Sequence, residues 1–213
     1  GTRLMDVLDH IAIDREISDI QSIYLMRESV AAKQKEIIEQ ALERLERSVY
    51  TAPISSTGEG SIRVQEAQLV SDFVARARLV EPLGKVIVSQ NGEIANILLE
   101  PGDTVVIPEI TDLIHVGGEV MLPQSVVFNP DATTEDYVAW AGGFTQRADD
   151  DRIMVIRKNG TVDFAAVGDD DMNFDAGDQV VVLPAIDTKS LQAIKDITQI
   201  IYQIAVAANV ATN

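Results

Sequence analysis

The chain contains no cysteine and only two histidines, His10 and His115, among its 213 residues. The absence of cysteine excludes thiolate catalysis, disulfides and cysteine-ligated zinc or iron–sulfur sites. Two isolated histidines are a poor basis for a histidine-dependent catalytic site. Basic residues are scarce: 17 lysines and arginines stand against 34 acidic residues, a formal net charge of −17. Because phosphate binding needs clustered lysine and arginine, nucleic acid is excluded as the main partner.

The negative charge is concentrated in the middle of the chain. Residues 81–190 hold 20 acidic and 6 basic side chains, whereas residues 1–80 hold 13 and 10. Residues 191–213 carry only Lys195 and Asp196 as charged groups. No signal peptide opens the sequence, and we expect the chain to begin inside a larger protein.

Hydrophobic periodicity divides the chain into a helical front, a strand-rich middle and a helical end. Apolar residues at helical spacing predict an amphipathic helix over 30–50 and a second over 62–79, joined by a loop rich in Gly and Ser. After Pro82, short apolar runs separated by Gly, Pro and Asn predict strands, interrupted by one helix over 133–141. Residues 188–211 are predicted to be helical again.

An internal repeat relates the front of the chain to its middle. At an offset of 130 residues, 4–27 aligns without a gap on 134–157, and the two segments end in Arg27 and Arg157.

A second repeat, at an offset of 75, aligns G-D-T-V-V-I-P at 102–108 on G-D-Q-V-V-V-L-P at 177–184. Together the repeats define a unit of helix, strand and a second strand that follows G-D. The first copy is longer by 55 residues, which predicts that a helical hairpin over 28–82 is inserted between its strands. It also lacks a counterpart of the strand pair at 113–128, so its opening strands are expected upstream.

Four segments of the second copy resemble the SLBB domain, the soluble-ligand-binding β-grasp. They are V-G-G-E-V-M-L-P (116–123), D-Y-V-A-W-A-G-G-F (136–144), R-I-M-V-I-R-K-N-G (152–160) and the G-D-Q-V-V-V-L-P segment. The lead-in at 92–108, the R-E-S-V-A-A-K-Q-K segment at 27–35 and the hydrophobic terminal helix extend the likeness. In this order, the chain resembles the C-terminal part of outer-membrane polysaccharide export proteins, most closely those of group 2-type capsule export.

The resemblance implies an α+β fold of β-grasp (SLBB) units with an inserted helical hairpin and a C-terminal amphipathic helix. The expected domains are a truncated first β-grasp unit (1–27 with 83–112), the hairpin (28–82), a complete SLBB unit (113–186) and the terminal helix (187–213).

The same resemblance implies a subunit of an oligomeric channel that exports capsular or exopolysaccharide. Expected partners are the polysaccharide, further copies of the chain in a ring, an inner-membrane copolymerase or ABC exporter, and outer-membrane lipid contacting the C-terminal helix. The expected location is the periplasm and outer membrane of a Gram-negative bacterium. A monomeric glycan- or small-ligand-binding module is the alternative. An enzyme is not expected, because no catalytic motif, metal site or cofactor site is identified.

Two aromatic residues on the short helix, Trp140 and Tyr137, are candidates for contact with a glycan, since apolar sugar faces stack on rings. The alternative is that one packs in the core and the other covers an edge. Structural roles in turns, helix caps and close backbone approaches are expected for Gly102, Asp103, Gly117, Gly118, Pro123, Gly142, Gly143, Gly177 and Asp178.

Polar residues of the terminal helix, Gln192, Asp196, Gln199 and Gln203, advance by four, three and four and therefore form one stripe. In a ring of such helices the stripe would face a wet lumen, with isoleucines toward lipid or neighbouring helices. The alternative is an amphipathic helix that packs on a soluble partner or on the β-grasp.

Acidic runs at 149–151 and 169–175 raise the possibility of calcium. Phe174 stands where a calcium loop needs glycine, and Val180 stands where it needs glutamate. An acidic solvated loop is therefore favoured over a metal site, and such loops would repel an anionic polymer rather than retain it.

Overall fold

The computed structural model describes residues 1–51, 57–90, 92–168, 172–185 and 191–207. Its helices are α1 (Leu4–Leu8), α2 (Glu28–Thr51), α3 (Thr57–Ala77), α4 (Thr134–Trp140) and α5 (Leu191–Ala207). Its strands are β1 (Tyr24–Met26), β2 (Lys85–Ile87), β3 (Ser89–Gln90), β4 (Glu93–Ile94), β5 (Thr104–Val106), β6 (Leu113–Gly118), β7 (Gln124–Val127), β8 (Ala148–Ile156), β9 (Val162–Ala166) and β10 (Gln179–Pro184).

The second half of the chain forms a five-stranded mixed sheet with α4 on one face. The strand order is β7-β6-β10-β8-β9, and the central β10 lies parallel to β6 and antiparallel to β8. The core between sheet and helix contains Ile114, Val116, Val120, Ala132, Tyr137, Val138, Ala141, Ile153, Val155, Ala165, Phe174, Val180 and Val182. A mixed sheet closed around one helix agrees with the predicted α+β class, which is confirmed.

Helix α4 begins with a capping box that the first copy of the repeat shares in part. Thr133 Oγ1 accepts the N–H of Asp136 (3.3 Å), and Asp136 Oδ2 accepts the N–H of Thr133 (2.9 Å). The backbone hydrogen bond from Thr133 lowers the pKa of Asp136. At the equivalent position of α1, Asp6 Oδ2 accepts the N–H of Arg3 (2.8 Å). The aligned aspartates therefore cap both helices in the same way, whereas only α4 has the second hydrogen bond, which the side chain of Thr133 accepts.

A smaller sheet in the first half reproduces three strands of the larger one. Its order is β2-β1-β5, all antiparallel. Met26 of β1 lies opposite Thr104 of β5. The residues aligned with them in the repeat, Ile156 at an offset of 130 and Gln179 at an offset of 75, lie opposite each other in β8 and β10. Strand β5 is the edge of this sheet, whereas its counterpart β10 has β6 on its far side.

Helices α2 and α3 lie between β1 and β2, which pair directly with each other (Tyr24 opposite Ile87). In the larger sheet the equivalent strands β8 and β9 are joined by the tight turn 157–161. The hairpin is therefore an insertion at this turn. Helical spacing groups Ile37 and Val64 with the apolar residues of α2 and α3, but both side chains are exposed. Its core, shared with α5, contains Ile38, Ala41, Leu42, Leu45, Val70, Val74, Ala77, Ile197, Ile200 and Ala207.

Helix α5 packs between the hairpin and the larger sheet. Its Ile197 and Ile200 contact the hairpin core, while Ala205 packs on the face of the sheet opposite α4. The N–H of Leu83 donates to the carbonyl of Ala207 (2.7 Å), which fixes the C-terminal end of the helix. Within the described residues, none of the helices combines the length and apolarity that crossing a membrane requires.

Three predicted elements differ from the structure in extent. Helix α3 begins at Thr57, within the predicted loop. The apolar run over 94–99 predicts a strand, but only Ile94 of this run lies in one, β4. Strand β8 begins at Ala148, although an acidic run was expected there to be a solvated loop. Ala148 lies opposite Pro184 of β10, so sheet pairing holds this polar segment extended despite its lack of apolar residues.

Candidate functional site

An arginine and an aspartate occupy the same place in both copies of the repeat. In the first, Arg27 donates from Nε to Asp103 Oδ1 (2.8 Å) and from Nη2 to Oδ2 (2.7 Å). In the second, Arg157 Nη1 donates to Asp178 Oδ2 (2.6 Å), while its Nε donates to Asp163. The two aspartate side chains are 2% and 1% exposed. The repeat at an offset of 130 residues aligns the two arginines, and this recurrence was the signal in the sequence from which their role could have been inferred.

Each aspartate also organises the turn that precedes its strand. Asp103 and Asp178 accept the backbone N–H of the residue three positions earlier, at 2.8 Å and 2.9 Å. Gly102 and Gly177, directly before them, have φ of +92° and +97°. This is the side-chain-to-backbone turn that the repeated G-D indicated.

The two pairs differ in electrostatics. Hydrogen bonds from Arg27 hold the pKa of Asp103 below its usual value. Burial raises the pKa of Asp178, although Arg157 and the N–H of Asp175 act in the opposite direction. Both carboxylates are enclosed by their own partners, so their geometry suits a structural role rather than a reactive one.

Glycines shape the turn between β6 and β7. Gly118 has φ +81°, and a Cβ there would collide with the carbonyl oxygen of Val182, which accepts the N–H of Glu119 (2.9 Å). Gly117 is buried in β6, and Pro123 is exposed immediately before β7. A side chain at 118 is therefore excluded by the close approach of β10.

The pair Gly142–Gly143 ends α4 in the left-handed conformation, with φ of +82° and +85°. Their N–H groups donate to the carbonyls of Ala139 (3.0 Å) and Val138 (2.9 Å). This is the helix C-cap that the sequence indicated.

The two aromatic candidates have different surroundings. Tyr137 is fully buried, and its hydroxyl accepts the N–H of Asn129 (3.1 Å) and donates to the carbonyl of the same residue (3.2 Å). Trp140 is 43% exposed and meets the Tyr137 ring edge-on at 5.2 Å. Because Tyr137 is buried in the core, a sugar cannot contact its ring in this structure. Trp140 remains the candidate for glycan contact.

The predicted polar stripe of α5 is only partly on the surface. Gln199 is exposed, and Asp196 and Gln203 are partly buried. The side chain of Gln192 lies outside the described residues. In the part of the chain that the structure describes, Gln203 Oε1 is buried with no hydrogen-bond partner. Helical geometry places Gln203 beside Ile200, so this end of the stripe turns toward the hairpin.

An aromatic pair that the sequence did not indicate lies where α5 crosses β9. The rings of Phe164 and Tyr202 stack with their centroids 5.8 Å apart and their planes at 30°. They line a cavity of about 310 Å³ whose other members are Arg152, Lys195, Thr198 and Gln199. No local motif carries this site, because it exists only where the terminal helix docks on the sheet. We call these six residues the aromatic shelf.

A larger, more polar cavity of about 610 Å³ lies between the two sheets. Its cations already have partners, since Lys158 pairs with Asp19 (3.0 Å) and Arg157 with Asp178 and Asp163. The turn that carries them also joins the two halves, because Asn159 Nδ2 donates to the carbonyl of Ser89 (3.0 Å). This cavity therefore belongs to the junction of the two units.

Neighbouring this junction, Lys85 lies with its Nζ 4.0 Å from the centroid of the Tyr24 ring. Burial lowers the pKa of Lys85 to about 8. Among the described residues, no group of three or more acidic or histidine side chains is arranged to hold a metal ion. Residues 169–171, part of the acidic run considered for calcium, lie outside that description.

Comparison with known proteins identifies a domain and two relatives. The SLBB domain family matches residues 113–163. Two Escherichia coli proteins, each named polysialic acid transport protein KpsD, are 41% identical to the chain over 211 residues. The alignments cover 99% of this chain and 37% of each relative. The resemblance drawn from the motifs is thus confirmed: residues 113–163 match the SLBB domain, and the chain is similar, along nearly its whole length, to part of a polysialic acid transport protein.

Proposed function

We propose that this chain is part of a protein that exports capsular polysaccharide in the periplasm and outer membrane of a Gram-negative bacterium. The observation that carries the proposal is 41% identity, along 99% of the chain, to proteins named for polysialic acid transport. The role is transport and not catalysis, since the recurring Arg–Asp pairs are enclosed and serve the turns.

The proposed working form is a ring of identical subunits that acts with an inner-membrane copolymerase or ABC exporter and contacts outer-membrane lipid. Within each subunit, residues 1–27 with 83–112 form the first β-grasp unit, 28–82 the hairpin, 113–186 the SLBB unit and 187–213 the terminal helix. The matching registers of the two sheets support this division. In the ring, the exposed part of the stripe, at Gln199, faces the lumen, whereas its Gln203 end stays against the hairpin.

A chimera tests the export role. The matching region of Escherichia coli KpsD is replaced by this chain in cells that lack the native protein, and surface polysialic acid is measured by antibody binding to intact cells. We expect surface polymer near the wild-type amount. A chimera that reaches the cell envelope at wild-type abundance and leaves no polymer on the surface would contradict the proposal.

Thiol labelling tests the ring and the direction of the stripe, because the chain has no cysteine of its own. In the full-length protein that carries this chain, made free of any other thiol, a single cysteine is introduced by Gln199→Cys or, as control, by Ser71→Cys on the exposed side of α3. In assembled protein, we expect residue 199 to react with a small maleimide but not with a large polymer-linked one. Residue 71 should react with both.

The same preparation separates the channel from the alternative, a monomeric glycan-binding module. Electron microscopy of the full-length protein in membranes should show rings. A protein that remains monomeric in detergent, reacts with the large reagent at both positions and binds oligosaccharide would instead support the binding module.

A further inference from the structure

We propose that the aromatic shelf is a binding site for an acidic sugar residue, one that carries a carboxylate on its ring. The rings of Phe164 and Tyr202 would contact the apolar face of the sugar, and Arg152 and Lys195 would hold its carboxylate. The identity of the polymer as a polyanion rests on the proposed function, whereas the site itself rests on geometry and charge.

The aromatic part of the argument is the exposure of two stacked rings. Phe164 and Tyr202 are 40% and 39% exposed, although both lie at the contact between α5 and the sheet. Large aromatic side chains that stay partly open beside a cavity are typical of ligand sites that combine apolar walls with a few polar groups. The cavity of about 310 Å³ lies in the size range of small-ligand sites.

The charge argument depends on how few cations this region has. Residues 113–207 contain 6 basic and 15 acidic residues, and two of the six basic ones border the shelf. Arginine offers a planar fork that suits a carboxylate, and lysine adds a point charge. Two cations therefore lie beside two aromatic rings in a segment that is otherwise strongly acidic.

Neither Arg152 nor Lys195 is held in a strong ion pair by the described residues, so both are available to a ligand. Arg152 Nη2 lies 3.3 Å from Asp149 Oδ2, with the arginine side chain 47% exposed, so this surface pair is weak and exchangeable. Within the described residues, Lys195 has no carboxylate within 4.0 Å, and its side chain is exposed. Arg157 and Lys158, by contrast, are held in ion pairs at the junction of the two units.

Gln199 completes the set of groups that a sugar requires. It is exposed, it lines the shelf, and its amide can donate to and accept from sugar hydroxyls. A residue predicted to face a lumen thus lies beside the rings and cations that would contact a passing acidic polymer.

The test measures binding of a short oligosialic acid to the 213-residue chain by titration calorimetry, with a neutral malto-oligosaccharide of equal length as the reference ligand. We expect the acidic ligand to bind at least tenfold more tightly than the neutral one and to weaken as salt is raised from 0.05 to 0.5 M. Arg152→Gln with Lys195→Gln should lower the affinity at least tenfold. Phe164→Leu should lower it severalfold while retaining an apolar contact with the sheet.

The matched control is Arg44→Gln with Arg147→Gln, which removes the same charge from exposed positions elsewhere and should leave binding within twofold. Thermal unfolding of each variant establishes that it is folded. Equal affinity for the two ligands, or equal affinity of the shelf and control variants for oligosialic acid, overturns the proposal. If the chimera exports polymer and the shelf fails this test, only the shelf is rejected; if the shelf binds and the chimera does not export, only the proposed function is rejected.

Discussion

Arg27 reaches across 76 positions of sequence to hold both carboxylate oxygens of Asp103, at 2.8 Å and 2.7 Å. The contact ties the end of β1 to the turn before β5, on either side of the helical insertion. Arg157 and Asp178 make the equivalent contact in the SLBB unit, where no insertion intervenes. The pair therefore holds the same two strands together in both copies of the repeat, whether the intervening chain is a tight turn or a helical hairpin.

Removing the carboxylate of this pair should destabilise the fold. Asp103→Asn removes a carboxylate that is 2% exposed and leaves Arg27 with only the half-exposed Glu100, at 3.0 Å, as its anionic partner. We expect a loss of about 2–4 kcal/mol in the free energy of unfolding. Urea denaturation measures this. The matched control is Glu36→Gln, which removes an exposed pair with Lys33 and should cost far less, because solvent screens an exposed ion pair. Equal effects of the two substitutions would contradict a structural role for the pair.

The destabilisation caused by Asp103→Asn should depend on pH. Because Arg27 lowers the pKa of Asp103 in the folded state, the carboxylate stabilises the fold above the unfolded-state pKa, about 3.9, and this contribution is lost as pH falls through the folded-state pKa. The stability difference between wild type and Asp103→Asn should be greatest near pH 7 and shrink below about pH 4. A stability difference that is constant from pH 7 to pH 3 would show that the Asp103 carboxylate is not the source of this stabilisation.

Asp178→Asn should behave differently, since burial raises the pKa of this carboxyl group. A raised pKa in the folded state means that the protonated carboxyl group of Asp178 stabilises the fold. This stabilisation is present below the unfolded-state pKa and is lost as pH rises through the folded-state pKa. At pH 7 we expect Asp178→Asn to be less destabilising than Asp103→Asn in urea denaturation. A larger loss at Asp178 would mean that attraction to Arg157 outweighs burial.

Gly118→Ala should disrupt the SLBB sheet. The added methyl group would collide with the Val182 carbonyl and force a non-glycine residue to φ +81°. We expect a loss of at least about 3 kcal/mol or failure to fold. Gly143→Ala is the control, because its φ is also positive but no atom lies within 4 Å of the new Cβ. Its cost should be about 1–2 kcal/mol, measured by thermal unfolding.

Ile200→Ala tests the docking of α5. Ile200 is 1% exposed between α5 and the hairpin, so truncation should cost about 2–5 kcal/mol and raise hydrogen exchange of the α5 amides. Ile37→Ala, at a 39% exposed position of α2, should change stability by less than about 1 kcal/mol. Unchanged exchange in α5 after Ile200→Ala would show that the helix is held by other contacts.

Much of the architecture could be predicted from the sequence. The repeat pairs, the insertion between β1 and β2 and the cap at Gly142–Gly143 are local or periodic signals, and a repeated unit must reproduce its strand register. Predicted boundaries failed where tertiary pairing overrides propensity, as in β8, whose acidic first half is extended because it lies beside β10.

The order of elements, the repeat of a helix and strands and the exclusion of cysteine chemistry could all be inferred from the sequence, because they depend on composition and on residues near one another in the chain. Packing in three dimensions, by contrast, buries Tyr137, leaves Trp140 exposed and brings Phe164 and Tyr202 together beside Arg152 and Lys195. Those relationships arise when α4 and α5 pack on opposite faces of one sheet, and helical periodicity alone does not specify which surface a helix will meet.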